Sequence, residues 1–205
     1  MLVDALTNLT SFLEGDQSVL SSTYLQQVIA AFPDEADQKS FVLRLIIHYH
    51  GDIHQPLHTV SEVDSYYPEG DAGGNYEHIP EQGDTGVTNL HALWDSVIYE
   101  YCGYPTLPLN TTDWDNLTTA SDGLYTTYPV DASMILDGEY MQWAAEGLQI
   151  AKDDVYKDFD YTHEQSQAYL DRAAPIIKER TMYGATRLAQ TIVDIYGAKE
   201  ETFLQ

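Results

Sequence analysis

Eleven residues, His48-Tyr49-His50-Gly51-Asp52-Ile53-His54-Gln55-Pro56-Leu57-His58, hold four histidines and an aspartate. A second group follows at Asn89-Leu90-His91-Ala92-Leu93-Trp94-Asp95, and five of the seven histidines in the chain lie in these two segments. Imidazole nitrogen and carboxylate oxygen are the ligand set of zinc and related divalent ions. His48 and Asp52 are four residues apart, as are His91 and Asp95. On a helix such residues share a face, one turn apart, so each pair can direct two ligands at one metal region. Two such pairs on facing helices make a metal site inside a helical bundle. His58 follows a proline-bearing turn and can close a site from the side. Zinc used in catalysis takes three protein ligands and keeps one position open, an arrangement that His58, His91 and Asp95 suit. His50, His54 and His78 are read as exposed or as supporting ligands from behind, and not as ligands.

The elements that must position these residues are mostly helical. Leu2, Ala5, Leu6, Leu9, Phe12 and Leu13 recur at three and four and give one apolar face. Residues 21 to 32 read as a second, shorter helix closed by Pro33. Asp34 can cap a third that runs through Phe41, Leu45 and Ile46 into His48, after which Gly51 and Pro56 loosen the backbone. Residues 60 to 88 are rich in Gly, Asp, Pro and Tyr and are expected to form a long irregular loop or a β-hairpin insertion. Asp71-Ala72-Gly73-Gly74-Asn75 is their sharpest turn signal. A helix is expected from Asn89 to about Tyr101, a turn-rich polar stretch over 103 to 133, and two long helices at 137 to 156 and 163 to 196, the last with Pro175 able to kink it. The fold class expected is all-α, with a metal cleft.

Composition bounds the rest. A chain of 205 residues is expected to be one domain with a real core. No apolar run is long enough to span a membrane, so no membrane partner is expected. The start lacks the basic region and apolar stretch of a signal peptide, so either a signal has been removed or Met1 is not the natural start. The single cysteine, Cys102, excludes an intrachain disulfide framework. Sequons at Asn8, Asn110 and Asn116 mark candidate glycosylation sites and point to a secreted, extracellular or endomembrane-lumen location. The net charge of −24, from 33 acidic against 9 basic residues, speaks against non-specific nucleic-acid binding through a basic surface. An acidic protein still acts on phosphate esters where metal ions supply the positive charge.

Three motifs, in order, resemble the signature of the S1/P1 nucleases, zinc-dependent single-strand nucleases and 3'-nucleotidases. They are His-x3-Asp-x2-Gln-Pro-Leu-His from His48 to His58, Gly73-Gly74-Asn75, and Asn-Leu-His-x2-Trp-Asp from Asn89 to Asp95. Trp143-Ala144 with Glu146, Tyr156, Ala174-Pro175 and the run Gly184 to Ala189 resemble the family's last helices, so the likeness covers nearly the whole chain. The resemblance implies three zinc ions at the base of a cleft in a helical fold of the phospholipase C/P1 nuclease type. His48 matches a ligand of one ion in a close pair, and Asp52 matches the carboxylate that bridges the pair. His58, His91 and Asp95 match the protein ligands of the third ion, and Asn75 a polar residue near the scissile phosphate. Asp52 and Asn75 are thereby the catalytic candidates. The implied substrates are single-stranded RNA and DNA and 3'-nucleotides, with 5'-phosphate products.

The chain departs from the family pattern before His48. The remaining ligands, including an N-terminal tryptophan and a histidine soon after it, have no counterpart, since no histidine precedes His48 and the tryptophans (Trp94, Trp114, Trp143) all follow it. The expectation is a C-terminal portion that needs an N-terminal segment of the same precursor to complete three zinc sites, and holds one without it. Two alternatives stand beside the nuclease: a catalytically lost, glycosylated interaction protein on the same fold, and a zinc phospholipase C-like enzyme. The loop between the second and third motifs is longer than usual, which leaves base preference open. Tyr66, Tyr67 and Tyr76 could stack on a base, though a structural role is expected of each.

Overall fold

A computed structural model describes residues 2–103, 105–131 and 139–197. Seven α-helices account for the regular structure among them: α1 (Leu2–Glu14), α2 (Thr23–Ala31), α3 (Glu35–His54), α4 (Leu90–Asp95), α5 (Thr111–Thr127), α6 (Tyr140–Ile150) and α7 (Gln167–Tyr196). Short 3-10 turns at Gln17–Ser21 and Pro56–His58 and a π-helical turn at Ala151–Val155 link them. The fold is all-helical, as expected.

α1 buries Leu6, Leu9, Phe12 and Leu13, the stripe set by its sequence period. Leu9, Phe12 and Leu13 form one apolar cluster with Leu25, Val28, Val42, Ile46 and Ile195, while Leu6 packs with Ile53 and Trp143. A second gathers Leu57, Leu90, Leu93 and Trp94 against Val155, Phe159, Tyr169 and Ile177. The first cluster seats α3 and the second seats α4, the two helices that carry the histidine motifs.

Four local expectations are corrected. Gly51 does not loosen α3. The helix starts under Asp34, whose side chain accepts from the backbone N–H groups of Ala36 and Asp37, and continues to His54 because Ile53 and His54 are buried. α4 stops at Asp95 rather than near Tyr101. Val97, Ile98 and Tyr99 adopt left-handed φ values of 53°, 56° and 66°, which break the helix and drop Ile98 into the core. Residues 111 to 127, expected to be turns, form α5, whose start is capped by Asn110 accepting from the Asp113 N–H. α5 buries no residue, so its Thr, Asp and Asn content gave no apolar period to read. The last helix begins at Gln167 rather than His163, after Ser166 caps it. It then runs unbroken past Pro175, with Ala173 and Ile177 buried on either side. The expected start of the preceding helix at Asp137 lies outside the described residues.

The 60–88 segment is irregular. Its nearest approach to a hairpin is an isolated antiparallel bridge between His78 and Asn89, backed by Ile79 N–H donating to the Thr88 carbonyl (3.0 Å). Ile79 and Val87 tuck into the second cluster, which fixes the loop against α4.

Candidate metal centre

The five ligand candidates form one continuous patch. α3 sets His48 Nε2 3.3 Å from Asp52 Oδ2. The 3-10 turn after Gln55 returns His58, whose Nε2 lies 4.0 Å from Asp52 Oδ1 and 3.3 Å from Asp95 Oδ1. On α4, His91 Nε2 lies 3.4 Å from Asp95 Oδ2. The order in space is therefore His48, Asp52, His58, Asp95, His91, with each carboxylate between two imidazoles. The patch opens onto a cleft of about 470 Å³, lined by His48, Asp52, His58 and Asp95 and, across it, by Arg180 and Thr181 of α7. A larger cleft of about 830 Å³ between α1, α6 and α7 holds Glu14, Glu139 and Asp194 but no histidine, so the metal-ligand chemistry is concentrated in the smaller one.

His58, His91 and Asp95 each offer a ligand atom within 4.8 Å of the others. The fit to zinc can be tested on the rings themselves. His91 Nδ1 lies 2.8 Å from the Gly73 carbonyl oxygen, so that nitrogen carries the hydrogen and donates it. Nε2 is the nitrogen left for a metal, and it faces Asp95. Metal-binding histidines are held in this way, with the far nitrogen bonded to a carbonyl or carboxylate. Two imidazoles and one carboxylate match a catalytic zinc set with a position left open. His48 and Asp52 lie beside it, with ligand-type atoms 3.3 Å apart.

The turn that supplies the Gly73 carbonyl needs its glycines. Gly73 and Gly74 have φ of 65° and 78°, and a Cβ on Gly73 would collide with the Leu57 carbonyl oxygen. Asp95 is aimed by Gln55, whose Nε2 donates to Oδ1 at 2.8 Å while its Oε1 accepts from the Leu57 N–H at 2.6 Å. Gln55 is thus a site residue that ligand-type reasoning passed over, although it stands inside the first motif. Asn89 caps α4 by accepting from the Ala92 N–H at 2.7 Å. Trp94 anchors α4 from behind, donating from Nε1 to the Tyr169 hydroxyl at 3.0 Å.

Charge couples the patch. Burial disfavours the charged form of His58, but the hydrogen bond to Asp95 and the charges of Asp52 and Asp95 outweigh it, and its pKa is raised. Burial likewise works against the Asp95 carboxylate, yet His58 and Gln55 hold its pKa below the usual range.

Asn75 lies outside this patch. It is exposed, and its Nδ2 donates to the Ala72 carbonyl at 2.9 Å. It is tied to the site through its neighbour Gly74, whose carbonyl accepts from the His91 backbone N–H at 3.3 Å. His78 is exposed, as expected. His50 and His54 are not exposed, nor do they back a ligand: they are buried between α3, α6 and α7. Their Nδ1 atoms donate to the carbonyls of Ile46 and His50 (2.9 and 2.7 Å), while their Nε2 atoms accept from Thr191 Oγ1 and Arg187 Nη1 (3.1 and 3.0 Å). Both rings are therefore neutral. Burial, with Arg180 and Arg187 nearby, pushes His54 down to about 3.

Comparison with known proteins agrees with this geometry. The family model described as S1/P1 Nuclease matches residues 8–197. Endonuclease 2 of Arabidopsis thaliana is 30% identical over 168 residues, which cover 76% of this chain and 51% of that protein. Nuclease S1 of Aspergillus oryzae is 30% identical over 164 residues, covering 72% of this chain and 51% of that protein. Endonuclease 3 of Arabidopsis thaliana is 28% identical over 163 residues, 78% of this chain and 52% of that protein. The chain spans about half the length of the curated relatives it matches. With the motif order, the helical fold and the extent of the family match in agreement, the chain belongs to the S1/P1 nuclease family.

Proposed function

We propose that this chain is the metal-binding part of a zinc-dependent phosphodiesterase, an endonuclease that hydrolyses single-stranded RNA and DNA and 3'-nucleotides to products carrying a 5'-phosphate. The observation that carries the reading is the convergence of His58, His91 and Asp95 within 4.8 Å, with the His91 Nδ1 already committed to a carbonyl. These three would hold one zinc. His48 and Asp52 would hold part of a close pair, completed by ligands from an N-terminal segment of the same precursor. When bound, zinc supplies Lewis acidity toward a phosphoryl oxygen and acidifies a water molecule.

The chain's own residues do the positioning. Asp52 and Asp95 each sit between two imidazoles, so the carboxylates keep the rings turned toward the cleft. Gln55 fixes Asp95. Arg180 stands in the cleft wall with its guanidinium buried and paired to Glu146, so it shapes that wall from α7. Asn75, at the turn that backs His91, is the proposed polar contact to the scissile phosphate.

The same reading makes the chain a glycoprotein of the secretory route. Asn116 is exposed on α5, whereas Asn110 uses both amide atoms on Asp113 and Asn8 is half-buried in α1. Asn116 is therefore the favoured acceptor.

The test is zinc content of natively purified protein, with intact mass to find a second polypeptide, followed by hydrolysis of single-stranded nucleic acid against a phosphocholine lipid. The expected result is bound zinc and nucleic-acid cleavage, with one zinc and the cleavage lost in His58→Ala and Asp95→Ala. Lipid hydrolysis instead would move the protein to the phospholipase C-like class. Absence of zinc and of both activities would leave an interaction protein on a retained scaffold.

A further inference from the structure

Asp71 is fully buried and lies outside the ligand patch. Its Oδ1 accepts from Ser61 Oγ (3.1 Å), the Glu62 N–H (2.9 Å) and the Gly73 N–H (2.9 Å). Its Oδ2 accepts from the Gly74 N–H (2.8 Å) and the Tyr156 hydroxyl (2.6 Å). A carboxylate offers about four lone-pair sites, and here five donors converge on one. Two of them are the backbone N–H groups of the very glycines held in left-handed conformations. Those glycines present two carbonyls to His91, Gly73 to the ring Nδ1 at 2.8 Å and Gly74 to the backbone N–H at 3.3 Å. A single side chain thus sets the turn, and the turn sets the ring.

Glu62 and Glu77 bring carboxylate oxygens within 4.8 Å of Asp71, which resembles a cation site. The lone pairs of Asp71 are already taken, so the trio lacks a free ligand set. Burial and the charges of Asp71 and Glu62 push the Glu77 carboxyl up to about 7, toward its neutral form.

We propose that Asp71, latched by Tyr156, is the positioning residue of the metal centre: it holds the Gly73-Gly74 turn so that the Gly73 carbonyl keeps His91 Nε2 pointed at the ion. The zinc part of this statement rests on the function proposed above. Tyr156 stands beyond the π-helical turn that follows α6, so the latch ties the C-terminal part of the chain to the loop that orients a ligand.

The experiment uses the whole chain and two readouts. The first is zinc affinity, by competition with a chromogenic chelator. The second is the exchange rate of the His91 Nδ1 proton in metal-free protein, followed by NMR. Asp71→Asn keeps the shape but turns one acceptor oxygen into a donor, leaving at least one backbone N–H facing it unpaired. Zinc affinity is expected to fall by about 10- to 100-fold, the usual effect of removing a group that orients a metal ligand. The His91 proton is expected to exchange faster, with helical circular dichroism retained. Tyr156→Phe removes one donor of the five and is expected to show the same two changes at smaller size. It decides the matter should Asp71→Asn fail to fold. Wild-type affinity together with an unchanged exchange rate in the folded variants would overturn the proposal. His91→Ala separates the two readings: if it binds zinc as the wild type does, the zinc assignment at this site falls, and the proton-exchange rate alone decides whether Asp71 positions the ring.

Discussion

Helix α3 carries two pairs with the same spacing and opposite fates. His48 and Asp52 lie on its open face, with the His48 side chain 69% exposed. His50 and His54, also four apart, lie on its packed face at 0% and 2% exposure. At 3.6 residues per turn, a shift of two residues moves a side chain to the other side of the helix. The open pair leaves its ring nitrogens and carboxylate to the cleft. The packed pair spends every ring nitrogen on a protein partner and joins α3 to α7. Gly184 of α7 makes that contact possible, since even a Cβ there would stand 3.3 Å from the His50 carbonyl oxygen and from the His54 ring. Ligand-type residues at ligand spacing are thus the proposed metal site on one face and a structural bolt on the other. What separates them is whether the nitrogens are already used.

The largest effect should come from cutting the bolt. Glu146 accepts two bonds from Arg187 at 2.8 Å and one from Arg180 at 2.6 Å, both guanidiniums being buried. Glu146→Ala would strand two charges, and breaking a buried pair in this way costs about 3–5 kcal/mol. Urea denaturation is expected to show that loss, and a variant as stable as the wild type would remove the distinction between the faces.

Acid should weaken the packed face next. His54 falls from an ordinary 6.5 to about 3 in the folded chain, so below 6.5 the unfolded chain binds a proton that the folded chain refuses. Stability is therefore full above 6.5 and declines as the pH falls toward 3, by up to about 1.4 kcal/mol per pH unit. Glu77, raised to about 7, contributes the opposite slope. The difference in denaturation midpoint against pH between Glu77→Gln and Glu77→Gln with His54→Gln isolates the histidine, and a pH-independent difference would contradict its buried, neutral assignment.

On the open face the expectations reverse. Asp95→Asn should abolish zinc binding while changing stability by less than about 1 kcal/mol, because its ion pairs are partly exposed. Thr191→Val, which removes a partner of His50, should lower stability and leave zinc affinity alone. Equal effects of the two variants on zinc would merge the faces. Zinc affinity should also fall with pH. His58 holds its proton above the ordinary value of 6.5, so binding releases it, and calorimetry in buffers of different ionisation heat counts the protons. The smallest effect belongs to His78→Ala, an exposed residue on neither face, where both stability and zinc binding are expected to match the wild type.

Much of the site was legible because local spacing carries it. The i, i+4 pairs, the return of His58 after Gln55-Pro56 and the glycine pair are all properties of neighbouring residues, and helix geometry or a positive φ turns each into a direction in space. The apolar stripe of α1 was readable for the same reason. α5 was not, since a helix that buries nothing leaves no hydrophobic period. The end of α4 was missed because burial of Ile98 overrides the helical pattern across Val97 to Tyr99.

Sequence alone therefore determined the family, the helical class and which residue types stand ready for a metal. Tertiary structure decided which of them are free to bind it. Whether a histidine nitrogen is available depends on partners 133 and 141 residues away, Arg187 for His54 and Thr191 for His50. The aim of His91 likewise depends on the Gly73 carbonyl and, through Asp71, on Tyr156. No local period encodes such contacts. They exist only once α7 lies against α3 and the 60–88 loop against α4, because a hydrogen bond is satisfied by whatever donor the packing brings within reach.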